Sequence, residues 1–311
     1  MSTSLLSPRM AGLLERIQRA KQTPFHALSV QDARRAYAVG AEVLDLPREP
    51  LPRVEDLDIT LGQHACKARL YAPSQDPLPV LLYLHGGGFT VGGLSTHDSL
   101  CRQLALQSQA AVLALDYRLA PEHRFPAAVN DAWEGLKWLA AQGARELGLD
   151  DKRLAVGGDS AGGTLAAVAA IHAAQAGLAL RAQLLITPGT ADNTHSASHH
   201  LFANGFLLDT ATIQWFFDHY IDRHARSDWR YAPLNAPDVD GVAPAVVVLA
   251  ECDPLVDEGV AYADKLRAAG VAVELELTRG VTHDFIKMGR ALPQAVQVQA
   301  WVGERLRERW Q

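Results

Sequence analysis

The sequence predicts an α/β fold: an open, mostly parallel sheet with helices on both faces. The first observation behind this is a series of short, nearly continuous apolar runs. Pro79 to Leu84 and Ala110 to Leu115 read as central strands covered on both faces, and Arg153 to Gly157, Gln183 to Ile186, Ala245 to Ala250 and Val271 to Leu277 repeat the pattern. The second is that helical stretches alternate with them, at Ala127 to Ala141, Ala161 to Ala174, Asp257 to Ala269 and Pro293 to Arg309. The third is size. A chain of 311 residues with 48% hydrophobic content can bury one large core, and enzymes of this class often run this long as one unit.

Before these units the chain reads differently. Leu6, Met10, Leu13, Leu14 and Ile17 fall near helical spacing with Glu15, Arg16 and Arg19 opposite, which predicts an amphipathic helix. Ser29 followed by Asp32 resembles a capping box opening a second helix through Tyr37 and Val43, ended by Pro47, Pro50 and Pro52. Asp56 to Leu61 and Ala68 to Tyr71 alternate as half-buried strands.

One segment breaks the rhythm. Pro188 to Ala243 holds no convincing strand where a short connection is the norm, yet it carries Phe202, Phe206, Leu207, Trp215 and Phe216. An aromatic-rich helical insertion after a central strand reads as a cap over the C-terminal edge of the sheet, most of its aromatics packing the insertion down and one or two facing a ligand. The expected organisation is a cap segment at 1–50, a core at 51–187 and 244–311, and a cap insertion at 188–243.

The formal charge of -6 supplies no basic excess to neutralise phosphates, which argues against nucleic acid and against an anionic membrane surface as partner. Cys66, Cys101 and Cys252 form neither a zinc pair nor a disulfide framework, so a reducing compartment is expected. No run reaches the length of a membrane span, and Met1 to Met10 lack a basic segment followed by an apolar one. These readings predict a cytoplasmic protein.

The chemistry is carried by Gly158-Asp159-Ser160-Ala161-Gly162, a G-x-S-x-G set between an apolar strand and an alanine-rich helix. That context is what a nucleophile elbow needs: a sharp turn lifts the serine hydroxyl above the sheet, and the Ala161 N–H opens a helix where it can donate to a developing oxyanion. His85-Gly86-Gly87-Gly88-Phe89 follows the strand ending at Leu84, so its backbone is expected to supply the other oxyanion donors, from Gly86 and Gly87. His85 itself is expected to shape the loop. In this chain order the acid and base come after the serine. Asp253 lies just past the Ala245 to Ala250 strand and His283 in the loop after Val271 to Leu277, both at C-terminal strand ends where parallel sheets bind ligands. A carboxylate there can fix the imidazole tautomer. Among the competitors, His172 is inside a helix, His195, His199 and His200 lie in the insertion, and Asp257 and Glu258 begin a helix. Cys252 lacks an elbow.

Together these residues resemble the hormone-sensitive-lipase-like carboxylesterases, in the bacterial branch with a Gly-Asp-Ser-Ala-Gly elbow. The matching pieces are His85 to Gly88, Asp116 to Glu122 with Phe125 to Ala128, Gly158 to Gly163, Asp253 to Leu255 with Asp257 to Gly259, and His283. The resemblance implies an α/β-hydrolase fold with a mostly parallel eight-stranded sheet and a helical cap. It also implies hydrolysis of short- to medium-chain acyl esters with no cofactor and no metal. Asp159 and Glu251 are expected behind the reacting groups, and Phe89, Phe206, Leu207 and Trp215 around the substrate. Two positions depart from the family pattern: Asp284 stands where Gly is more frequent and Val256 where Arg is common, which bears on loop geometry and substrate preference.

Acyl transfer through an acyl-serine is the expected reaction. A ligand receptor that keeps the cavity is disfavoured by the presence of all three triad residue types, and Ser160 at the elbow argues against dehalogenase or epoxide-hydrolase chemistry. Amidase activity stays open, as does a homodimer formed through the last strand.

Overall fold

Eight strands form one sheet in the computed structural model, which describes residues 5–311. The first four of the expected N-terminal cap segment lie outside the described residues. The strands are β1 (Arg53–Leu61), β2 (His64–Ala72), β3 (Val80–Leu84), β4 (Ala111–Leu115), β5 (Leu154–Asp159), β6 (Ala182–Ile186), β7 (Ala245–Cys252) and β8 (Val273–Thr282). Their spatial order is β1-β2-β4-β3-β5-β6-β7-β8. A tight hairpin joins β1 to β2, so that pair is antiparallel, as is β2 with β4; every other pairing is parallel, as helical crossovers require.

The helices are α1 (Pro8–Arg19), α2 (Val30–Gly40), α3 (Asp98–Ser108), α4 (Ala127–Trp138), α5 (Ala144–Glu146), α6 (Ala161–Gln175), α7 (Ala197–Leu201), α8 (Thr210–Tyr220), α9 (Val256–Ala268) and α10 (Pro293–Arg309). The period of two along the strands divides the core. Leu81, Tyr83 and Val112 face Leu100 and Leu104 of α3 and Val298 and Val302 of α10, while Leu82, Leu84 and Leu113 face α4 and α6 on the other side. Helix α6 has almost no polar face because it crosses the middle of the sheet. No helix among the described residues is long and apolar enough to cross a membrane.

Several boundaries differ from the sequence reading in informative ways. Helix α3 lies in a stretch with no expected element, since polar Asp98, Ser99, Gln103 and Ser108 are buried on it and blur its periodicity. Helix α2 ends at Gly40, before the prolines. Strand β7 runs to Cys252 and β8 to Thr282, so Asp253 and His283 each follow a strand directly rather than sit further along a loop. Ser29 accepts the Asp32 N–H at 3.1 Å and donates to its carboxylate, so the cap of α2 forms as expected.

Candidate active site

Ser160 stands between the last residue of β5 and the first of α6 with φ 52° and ψ -120°. For a residue with a side chain this is a strained conformation, sustained because its neighbours fix both ends. The Ser160 N–H donates to the Ile186 carbonyl at 2.8 Å, and the Ser160 carbonyl accepts from Thr164 at 3.0 Å. Helix α6 can begin this close to the sheet because Gly162 has no Cβ; one would overlap the Leu84 carbonyl. The Ala161 N–H, at the first turn, has no intrahelical acceptor.

Two strand ends bring the other groups to it. His283 Nε2 is 2.9 Å from Ser160 Oγ, and His283 Nδ1 is 2.7 Å from Asp253 Oδ2. Since a carboxylate only accepts, Nδ1 carries the proton and Nε2 is free to accept from the serine hydroxyl. The other Asp253 oxygen accepts the Leu255 N–H at 2.9 Å, which fixes the carboxylate plane. Burial works against a charged imidazole here, yet the Asp253 carboxylate more than offsets it and raises His283 to about 9. Glu251 holds the end of β8 by accepting the Gly280 N–H at 2.7 Å, and the Gly280 carbonyl accepts from the Ser7 N–H just before α1.

Of the two glycines expected to offer N–H groups to the cleft, Gly86 is turned away from it and Gly87 borders it. The Gly86 N–H donates to Asp159 Oδ1 at 3.1 Å, so it does not face the cleft. Gly87, Gly88 and Ala161 line the cleft beside Ser160. Asp159 takes the Gly86 donor because its side chain points back beneath the elbow. His85 is buried and its imidazole is pushed down to about 3 by desolvation; its Nδ1 is 2.8 Å from the Gly86 carbonyl, and the ring stacks on Tyr117 with centroids 4.4 Å apart. It is a neutral structural group.

The cleft above Ser160 has a volume of about 970 Å³ including its open mouth. Phe25 and Tyr37 wall it from the N-terminal segment, and Leu207, Leu208, Ile213 and Phe216 from the insertion. The two parts of the cover meet where the Phe25 and Phe216 rings approach to 6.4 Å.

A family model described as the alpha/beta hydrolase fold matches residues 81–287, which spans the glycine loop, Ser160, Asp253 and His283. The chain belongs to this α/β-hydrolase family. It is 41% identical to an ethyl acetate hydrolase of Pseudomonas putida, with 97% of this chain and 99% of that one covered. It is 40% identical to a carboxylesterase of Mycobacterium tuberculosis over 82% of each. Among solved structures, a thermostable esterase from Pseudomonas putida superposes with a TM-score of 0.95 at 35% identity, covering 98% of both chains. The hyperthermophilic esterase of Pyrobaculum calidifontis gives 0.92 at 34%, covering 97% and 98%.

Within this α/β-hydrolase the rival groups have other partners, although Glu258 also borders the cleft. Asp257 accepts the Ser198 N–H at 2.8 Å, and Glu258 the Thr190 N–H at 3.0 Å. His172 lies against Trp133 and Trp229. Cys252 is buried beside Phe202 and Phe206, its thiol pushed up to about 11 by desolvation. Of the aromatic and aliphatic residues expected around a substrate, Phe89 and Leu207 line the cleft and two do not. Phe206 is buried against Phe202, and Trp215 packs on Phe216 and His219; neither borders the cavity. On α8 the helical turn presents Phe216 inward in place of its neighbour Trp215. Phe25 and Tyr37 escaped the sequence reading because nothing in a short N-terminal helix indicates which ring folds over a site formed far along the chain.

Proposed function

We propose that Ser160, His283 and Asp253 act as nucleophile, base and orienting acid of a carboxylesterase hydrolysing short- to medium-chain acyl esters. The observation that carries this is the unbroken line from the Asp253 carboxylate through His283 to the Ser160 hydroxyl, ending on a strained elbow at the floor of an apolar cleft. Ser160 Oγ attacks the ester carbonyl as its proton passes to His283 Nε2. The tetrahedral oxyanion is held by the N–H groups of Gly87, Gly88 and Ala161, and Asp253 stabilises the imidazolium. The carbon–oxygen bond to the alcohol then breaks and His283 returns the proton to the leaving oxygen. Water repeats the sequence on the acyl-serine, releasing the acid and restoring Ser160. Nothing in the cycle calls for a cofactor.

Ester hydrolysis by relatives named as an ethyl acetate hydrolase and carboxylesterases supports this substrate class. The cap is assigned to residues 1–50 and 188–243 over a core of 51–187 and 244–311, supported by the cleft residues both parts supply. The free edge of β8, the last strand of the sheet, is the proposed contact for a homodimer. Three buried unpaired cysteines accord with a cytoplasmic setting. The test is Ser160→Ala assayed on a chain-length series of p-nitrophenyl esters. Turnover should drop by about 10³-fold or more on every ester with the circular dichroism unchanged; turnover near that of the parent protein would remove the nucleophile assignment.

A further inference from the structure

Beneath the elbow lies a buried ionic network that acyl transfer does not use. Lys287 is 5% exposed, and its ammonium donates to the Tyr37 hydroxyl at 2.8 Å and sits 3.3 Å from His97 Nε2. The same His97 nitrogen is 3.1 Å from Asp159 Oδ2, and His97 Nδ1 is 2.9 Å from the Thr96 hydroxyl. Asp159, fully buried, receives the Tyr83 hydroxyl at 2.6 Å and the Gly86 N–H at 3.1 Å on its other oxygen. Asp284, three residues before Lys287 and partly exposed, and buried Asp45 are further carboxylates coupled to the ammonium through their fields.

Each member belongs to a different part of the site. Lys287 ends the turn Phe285–Lys287 that follows the base. His97 precedes α3, Asp159 precedes Ser160, Gly86 opens the glycine loop, and Tyr37 is in the wall of the cleft. Building on the reading of Ser160 as nucleophile, we propose that Lys287 and His97 are positioning residues that hold Asp159 as a carboxylate, so that Asp159 pins Gly86 and aims the Gly87 and Gly88 N–H groups at the oxyanion.

The physical case rests on what an anion at Asp159 must overcome. Burial opposes its charge, and the adjacent His97 and Lys287 overcome that penalty and hold the carboxyl well below its usual range. Without them the carboxyl would take up a proton. It would then bring a hydrogen of its own to a place where Tyr83, Gly86 and His97 already donate, and one of those contacts would have to open. An opened Gly86 contact frees the loop whose next two N–H groups must meet a developing charge at hydrogen-bond distance.

The experiment compares Lys287→Met, His97→Ala and His97→Gln with the parent protein. It reads kcat and KM on p-nitrophenyl butyrate, the Ki of an alkyl trifluoromethyl ketone, whose adduct with serine carries the oxyanion, and the rate of labelling by a fluorophosphonate. In Lys287→Met and His97→Ala we expect kcat to fall about tenfold or more with KM within about twofold, and the ketone Ki to weaken by a similar factor. Labelling should slow in step. His97→Gln, whose amide nitrogen can occupy the position of Nε2 and donate to Asp159, should recover most of the loss. Unchanged kcat and Ki in both disrupting variants would overturn the inference while leaving the nucleophile intact. So would a loss that the glutamine does not restore. A parent protein that the fluorophosphonate fails to label would overturn both.

Discussion

The Asp284 carboxylate lies 3.8 Å from the serine-facing nitrogen of His283. The imidazole therefore has a carboxylate near each nitrogen, with Asp253 at 2.7 Å from Nδ1. Asp284 reaches this place with φ 62°, a left-handed conformation that Asp and Asn adopt more readily than most residues.

The pH dependence follows with a definite sign. His283 takes the Ser160 proton only when neutral, so kcat/KM rises as pH rises through the pKa of the folded imidazole. Desolvation lowers that pKa, but Asp253 chiefly, with a smaller addition from Asp284, raises it to about 9. The acid limb should thus lie above the ordinary histidine value of about 6.5. Asp284→Asn keeps the shape and removes one negative charge, so its kcat/KM profile should shift to lower pH. An unmoved or upward-shifted limb would show that the carboxylate does not act on the base.

Gly88 offers a steric test of the glycine loop. Its φ is 57°, and a Cβ there would overlap the Phe216 ring across the cleft. Gly88→Ala should lower kcat by about 100-fold, since the N–H proposed to hold the oxyanion would be displaced. Adding Phe216→Ala removes the ring but not the backbone strain, so steady-state kinetics should show partial recovery in the double variant. No recovery would assign the whole effect to the backbone.

Asp253→Asn tests the orienting acid. An amide can present its nitrogen to Nδ1, which favours the tautomer with the proton on Nε2, where it can no longer accept from Ser160. The expected loss in kcat is on the order of 10⁴ at neutral pH, the size this change has in a serine protease triad, with thermal unfolding little altered. A loss below about tenfold would mean that His283 is oriented by another group.

Ser160, Asp253 and His283, which the structure brings within hydrogen-bond distance of one another, were legible because each sits beside a local signal: a G-x-S-x-G between strand and helix, or the end of an apolar run. The sheet was legible for a related reason, since β3 and β4 are buried on both faces and so read as uninterrupted apolar stretches, and β6 is broken only by Gln183. What sequence did not reveal depends on direction rather than on residue type. The glycine run indicated backbone donors, but the Asp159 carboxylate, 73 residues away in the chain, takes the Gly86 N–H and leaves Gly87 and Gly88 beside the cleft. On α8 a difference of one residue separates Phe216, in the cleft, from Trp215 outside it. Lys287 and His97 are 190 residues apart and carry no pattern that joins them. Helix α3 was missed because its buried polar face, including the Asp98 that binds Arg69 and Arg102, hides a helical period.

The most direct measurement is mass spectrometry of the intact protein, followed by peptide mapping, after reaction with a small fluorophosphonate. A hydroxyl activated by His283 in an anion-holding cleft should take up one phosphonyl group, located on Ser160, with labelling absent in Ser160→Ala and strongly slowed in His283→Ala. Labelling that persists in Ser160→Ala, or ester turnover by a protein that never takes up the group, would contradict the account.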